Sequence, residues 1–180
     1  PGFEADDMMA SLSRKANEKG WNAVIVTGDK DLCQLVGDHV QALRPPKKAE
    51  TKYVLMDRMA VKEFYGVFPE QIVDYLTIIG DASDNVPGIK GLGEKGAVKY
   101  LSEYMTLDGL YRHLDSLTAS VRKKLEEGRE MANLSKELIK LRFDALPDDY
   151  DIEALSVERH TIQNAVPDFE ERNLKSLVKR

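Results

Sequence analysis

The sequence predicts an α/β fold: a mostly parallel sheet, here incomplete, flanked by helices and followed by a helical extension. Three observations predict it. "NAVIVTGD" (residues 22–29) is a short β-branched apolar run ending in a turn, the pattern of a buried parallel strand. It lies between two helical segments. Beyond Asp57 almost every segment carries helical periodicity.

The elements follow in order. "DDMMASLSRKANEKG" (6–20) places Met8, Met9, Leu12 and Ala16 at helical spacing and stops at Gly20. After the first strand, "DLCQLVG" (31–37) reads as a short helix and "VQAL" (40–43) as a second strand. "RPPKKAETK" (44–52) is a Pro/Lys loop, and "YVLMD" (53–57) is a third strand. The helices "RMAVKEFYG" and "PEQIVDYLTIIG" each end in glycine, and Pro69 suits a first turn. "EKGAVKYLSEY", "TLDGLYRHL", "SVRKKLEEG" and "REMANLSKELIKLR" continue the helical pattern. A loop, "FDALPDDYD", leads to a tail whose last part, "PDFEERNLKSLVKR", is amphipathic.

Two or three strands are few for a doubly wound sheet, so an upstream portion of the core is expected to be missing. The opening "PGFEADD" has neither Met nor a leader pattern, which supports the same expectation. The expected organisation is a core portion at 1–80, a helical region at 81–145 and a closing tail at 146–180.

The bulk numbers narrow the function. A composition 42% hydrophobic and 32% charged is globular, and no apolar run approaches the roughly 20 residues of a membrane helix. The single cysteine, Cys33, excludes an internal disulfide and fits a reducing, cytoplasmic setting. The net charge is −5. Setting aside seven carboxylates of a single site would turn it into +2, so the remaining surface is compatible with a polyanion.

Those seven are Glu4, Asp6 and Asp7 in "EADD", Asp29 and Asp31 in "TGDKD", and Asp81 and Asp84 in "GDASDN". Each cluster lies at an element boundary, and "TGDKD" sits at the C-terminal end of a strand, where open α/β sheets place their sites. Taken singly, each also reads as a helix cap or turn. If they converge, their repulsion requires cations. Oxygen ligands without histidine or a cysteine pair point to Mg²⁺ or Mn²⁺. Two such ions about 4 Å apart clamp the attacking and leaving oxygens of a phosphodiester.

Just downstream, "PGIKGLGEKGA" (87–97) forms a glycine-punctuated turn between helices. Helix-start amides, with Lys90, Lys95 and Lys99, can hold a phosphate, and Leu92 plugs the turn into its own core. Acids and lysines so close together fit one purpose: one phosphate gripped and another cut.

"GFEADD", "TGDKDLCQLV", "FYGVFPEQIVDYLTIIGDASDNVPGIKGLGEKGA" and "LSKELIKLR" resemble the 5′-nuclease domain of bacterial DNA polymerase I and its relatives in the flap endonuclease superfamily. The likeness runs in order over about residues 1–145, and the tail "NLKSLVKR" resembles the segment closing that domain. It implies a flap endonuclease/PIN-like fold. It also implies a 5′-3′ exonuclease and 5′-flap endonuclease acting on duplex DNA with a 5′ flap or 5′ end in primer removal and repair, beside a covalently linked polymerase. Carried over by motif, Glu4 and Asp6 resemble ligands of a first metal, with Asp7 behind or bridging them. Asp29, Asp31 and Asp84 resemble ligands of a second, with Asp81 their companion. Lys90, Gly91, Leu92, Gly93, Lys95 and Lys99 fall in a helix-hairpin-helix that grips duplex DNA, with a K⁺ on its carbonyls. The family's upstream strand with its aspartates and its basic arch has no counterpart here, so the first metal site is expected to be incomplete. The alternative is a non-catalytic duplex-binding fragment. An RNA-cutting nuclease of the related acidic fold is disfavoured by the hairpin. His39, His113, His160, Trp21, Tyr100 and Cys33 read as packing or surface residues.

Overall fold

A computed structural model describes residues 2–48, 50–156 and 166–173. It divides into two compact units, the first ending at Leu146 and the second beginning at Pro147.

The first unit opens with α1 (Ala5–Glu18), followed by β1 (Ala23–Val26), a 3-10 turn at Asp31–Leu35, β2 (Val40–Arg44) and β3 (Val54–Met56). β1 and β2 are parallel, with Ala23 opposite Val40 and Val26 opposite Leu43. β2 and β3 are antiparallel, with Ala42 opposite Met56. Connection length decides both directions. Thirteen residues separate β1 from β2, enough for a parallel crossover, whereas the nine between β2 and β3 contain no helix and return the chain antiparallel. The sheet is therefore mixed where a mostly parallel one was expected.

Helices follow: α2 (Arg58–Tyr65), a 3-10 turn at Pro69–Gln71 that runs into α3 (Ile72–Ile79), α4 (Glu94–Tyr104), α5 (Leu107–Arg112) and α6 (Ala119–Ile139). α3 is apolar nearly all round, and Ile72, Leu76 and Ile78 are fully buried, so it forms the centre of the unit. It shares one cluster with Leu92, Ala97 and Leu101 around α4 and with Leu125, Ala132 and Ile139 of α6. The last three recur every seventh residue, on one face of the long helix. A smaller cluster joins Ala10 of α1, Ile25 of β1, Leu32, Val40 and Leu141.

The stretches "SVRKKLEEG" and "REMANLSKELIKLR" form one helix, with Gly128 inside it. α6 runs straight through this glycine, because the absent side chain admits the hairpin: a Cβ there would lie 3.1 Å from Ile89 Cγ2. Buried polar groups tie the helices together. Gln71 Nε2 donates to the carbonyls of Leu101 (2.9 Å) and Met105 (2.8 Å), satisfying the C-terminal end of α4. Lys136 Nζ lies 3.0 Å from both Asp74 Oδ1 and Asp108 Oδ2, and Asp74 Oδ2 accepts the Leu107 amide at 2.8 Å. Asp74 is buried, so Lys136→Met strands a carboxylate. It is expected to lower the urea unfolding free energy by about 1–3 kcal/mol, against a few tenths for Lys123→Met at the exposed i,i+4 pair with Glu127.

In the second unit a 3-10 turn spans Ile152–Leu155, started by Asp151 Oδ1 accepting the Glu153 amide at 3.0 Å, and α7 spans Val166–Glu171. His160 and most of the closing segment "NLKSLVKR" lie outside the described residues. No helix among the described residues is long and apolar enough to cross a membrane.

Candidate metal centre and nucleic-acid hairpin

The β-ladder extends one bond past β1, with the Thr27 amide donating to the Leu43 carbonyl, and then the chain turns. Thr27 Oγ1 accepts the Asp29 amide at 2.9 Å, and Asp29 Oδ1 accepts the Asp31 amide at 3.0 Å. These local bonds coil the segment after the strand and bring both aspartates to its end. Gln34 fixes the turn from behind. Its Nε2 donates to the carbonyls of Asp31 (2.9 Å) and Ile139 (3.0 Å), and its Oε1 accepts the Leu141 amide at 3.2 Å.

Asp81 and Asp84 sit on a loop closed by a bridge in which Asp81 and Val86 exchange backbone hydrogen bonds of 2.8 and 2.7 Å. The chain crosses itself at the base of this loop. A Cβ on Gly88 would stand 2.4 Å from the Ile79 carbonyl carbon and 2.6 Å from the Gly80 nitrogen. Only glycine permits that approach. The crossing turns the loop back toward β1, and Lys30 Nζ reaches Asp81 Oδ1 at 2.8 Å.

The result is convergence. Asp31, Asp81 and Asp84 each bring a carboxylate oxygen within 4.8 Å of the other two. Glu4, Asp6, Asp29, Asp31 and Asp84 line one cavity of about 280 Å³, whose remaining wall is Val86, Leu138, Ile139 and Leu141. Five of the seven expected acids thus meet in one place, and Asp81 stands at its edge in the group with Asp31 and Asp84.

Asp7 is placed differently. It is buried, its Oδ2 accepts the Glu4 amide at 3.0 Å, and its Oδ1 accepts the Arg142 amide at 2.9 Å. Both oxygens hold backbone, so Asp7 anchors the start of α1 against the chain leaving α6 and does not line the cavity. The preceding acids are aimed by that anchor.

The electrostatics match crowded carboxylates with Lys30 as a counter-charge seated on Asp81. Burial, and then repulsion from Asp29, Asp81 and Asp84, raises the Asp31 pKa to about 7. Asp6 is raised by burial and then by Asp29 and Glu4, and Asp84 by burial and then by Asp81 and Asp29. Asp81 moves the other way. Burial opposes its charge, but the Lys30 ammonium and the Ser83 amide outweigh burial and lower its pKa. Two buried oxygens, Asp31 Oδ1 and Asp81 Oδ2, have no hydrogen-bond donor among the described residues. Orphaned acceptors in an all-carboxylate set fit a hard divalent cation.

The hairpin lies in the same unit. The Ile89 amide bonds the Ile78 carbonyl at 2.8 Å, the Leu92 amide bonds the Ile89 carbonyl at 2.9 Å, and Gly91 takes a left-handed φ of 82°. Ile89 and Leu92 are buried, whereas Lys90, Lys95 and Lys99 are exposed around the turn. Gly93 precedes α4 in an extended conformation, leaving that helix's first amides without intrahelical partners.

Sequence reasoning missed Gln34, Arg142 and the Gly80–Gly88 crossing. Gln34 stood inside a quoted motif, three residues after Asp31, and that spacing was the available signal.

Carboxylates from a helix start, a strand end and a loop around one cavity, with a lysine-flanked hairpin built on the same core, define a nuclease-type α/β domain suited to divalent metal. The chain belongs to the 5′-3′ exonuclease family: residues 1–66 match its N-terminal resolvase-like domain and residues 67–163 its C-terminal SAM fold. It is 39% identical to DNA polymerase I of Caldicellulosiruptor bescii over 183 aligned residues, covering 99% of this chain and 21% of that protein. It is 42% identical to the thermostable DNA polymerase I of Thermus aquaticus over 144 residues, covering 80% of this chain and 17% of that one. The chain thus spans about one fifth of the length of these curated relatives. Among solved structures, the flap endonuclease of bacteriophage T5 in a complex with DNA and metal ions shares the fold. Its TM-score is 0.68 at 20% identity, over 99% of this chain and 61% of that one.

Proposed function

We propose that this chain is the catalytic portion of a 5′-3′ exonuclease and 5′-flap endonuclease that hydrolyses DNA phosphodiesters with Mg²⁺ or Mn²⁺. The observation that carries the reading is the meeting of Glu4, Asp6, Asp29, Asp31 and Asp84 around one cavity, with the orphaned oxygens of Asp31 and Asp81 beside it. Similarity to proteins named DNA polymerase I supports a parent protein in which this unit accompanies a polymerase and removes primers or damaged 5′ ends.

Glu4, Asp6, Asp29, Asp31 and Asp84 would hold the divalent ions, and Lys30 would hold Asp81 in place behind them. When bound, a pair of such ions supplies positive charge to both the attacking and the leaving oxygen of a phosphodiester. The protein's own residues do the rest. Val86, Ile139 and Leu141, all buried, form an apolar wall beside the acids, with Leu138 at the rim. Gly93 to Lys99 would present helix-start amides and lysines to a phosphate of the duplex, setting the register between grip and cut.

The test is cleavage of a labelled 5′-flap duplex by this 180-residue chain in Mg²⁺ and in EDTA, with binding recorded in parallel. The expected result is Mg²⁺-dependent cutting near the flap junction, lost in the Asp31→Asn, Asp84→Asn double variant. Metal-independent binding without cutting would overturn catalysis by this portion and support the duplex-binding alternative.

A further inference from the structure

The hairpin has a cation of its own. Lys124 projects from α6, and its Nζ donates to the Gly91 carbonyl at 3.0 Å. The fit is close: a Cβ on Gly91 would lie 3.0 Å from Lys124 Cε and 3.1 Å from its Nζ. Gly91 therefore serves twice, adopting φ 82° and leaving room for the lysine tip. Lys90, Gly91, Lys124 and Gly128 border a shared concavity of about 550 Å³ together with Met131 and one acid, Glu127, whose carboxylate pairs with Lys123.

The left-handed turn makes the Gly91 carbonyl available to an ammonium from outside the hairpin. A carbonyl oxygen beside the start of α4 would repel an incoming phosphate, and a positive charge seated on it converts that repulsion into attraction. Resemblance puts a K⁺ on the carbonyls of such hairpins. Here the Gly91 carbonyl of the turn already accepts from a covalently tethered ammonium. An ammonium carries three donors, so two remain for a phosphate oxygen. A tethered charge also needs no free ion to be recruited from solution.

We propose that Lys124 is the resident cation of this hairpin. It positions the turn through the Gly91 carbonyl and contributes a contact to the DNA backbone, so that duplex binding does not depend on a monovalent metal ion. The inference rests on the reading of the hairpin as the DNA grip.

The experiment is fluorescence anisotropy of a labelled duplex in EDTA, with KCl and tetramethylammonium chloride compared at equal ionic strength. The 180-residue chain and its Lys124→Met, Lys124→Arg and Lys90→Glu/Lys95→Glu variants would be measured. Tetramethylammonium is too bulky to sit on a hairpin carbonyl. The unsubstituted chain is expected to bind equally in both salts. Lys124→Met is expected to bind about tenfold more weakly in tetramethylammonium, to recover partly in KCl, and to show a salt slope smaller by about 1. Lys124→Arg should retain the unsubstituted behaviour, because it keeps the charge and the donors. Recovery in KCl is a readout that misfolding would not produce.

Weaker binding by the unsubstituted chain in tetramethylammonium would overturn the proposal, as would unchanged affinity in Lys124→Met. If Lys90→Glu/Lys95→Glu leaves affinity intact, the hairpin is not the grip, and the proposal falls with that reading. If that double variant loses affinity while Lys124→Met does not, only the proposal falls.

Discussion

Asp31→Asn is expected to raise the melting temperature of the metal-free protein by a few degrees while cutting flap cleavage in Mg²⁺ by about 10²–10³-fold. The two effects have one cause. Asp31 is partly buried beside Asp29, Asp81 and Asp84, and its Oδ1 lacks a donor. An uncharged amide of the same shape removes the repulsion and, with it, a ligand.

The pH dependence follows from the raised pKa. Asp31 stands near 7 in the fold against an ordinary 3.8. Below the ordinary value the group is protonated in both states. Between the two values the unfolded chain ionises while the fold retains its proton. The metal-free fold therefore loses stability as pH rises through that window, and the loss is complete above about 7. A divalent cation offsets the penalty and competes with the proton. Mg²⁺ should therefore raise the melting temperature more at about pH 8 than at about pH 5, and Asp31→Asn should flatten that difference. Thermal melts with Mg²⁺ and with EDTA across the range check both statements.

Gly88→Ala is expected to have the largest effect on folding, with a loss of about 3 kcal/mol or more in urea unfolding free energy. The added methyl would meet the Ile79 carbonyl carbon at 2.4 Å and the Gly80 nitrogen at 2.6 Å. Both atoms are backbone, and no rotamer change relieves the clash. The crossing also holds the Asp81–Val86 bridge, so residual folded protein should bind divalent metal more weakly. Gly93→Ala is the control: nothing lies within 4 Å of its Cβ position, and a change under about 1 kcal/mol is expected.

Much of this was legible in the sequence, for local reasons. β1 announces itself through a β-branched run, and the acids after it through the Thr and Asp turn chemistry that coils "TGDKD". α1 carries its helical periodicity openly, and α3 shows itself as an apolar run after Pro69 that stops at Gly80. What escaped the sequence depends on distant partners. Asp7 resembles its ligand neighbours until Arg142, 135 residues on, takes its second oxygen. Asp81 looks like a free carboxylate until Lys30 reaches it. Gly128 has the composition of a helix stop, and only the approach of Ile89 shows why a glycine belongs inside α6. The direction of β3 was missed although the short, helix-free "RPPKKAETK" link favoured an antiparallel return.

Acids from three separated segments are expected to form one divalent-metal site. Mn²⁺ binding to the purified chain, followed by loss of the free-ion electron paramagnetic resonance signal, tests it most directly. Saturable binding is expected, abolished by Asp31→Asn with Asp84→Asn and left unchanged by Asp115→Asn, at an exposed acid on the far side of the hairpin in sequence. Equal Mn²⁺ uptake by the unsubstituted chain and the double variant would contradict it.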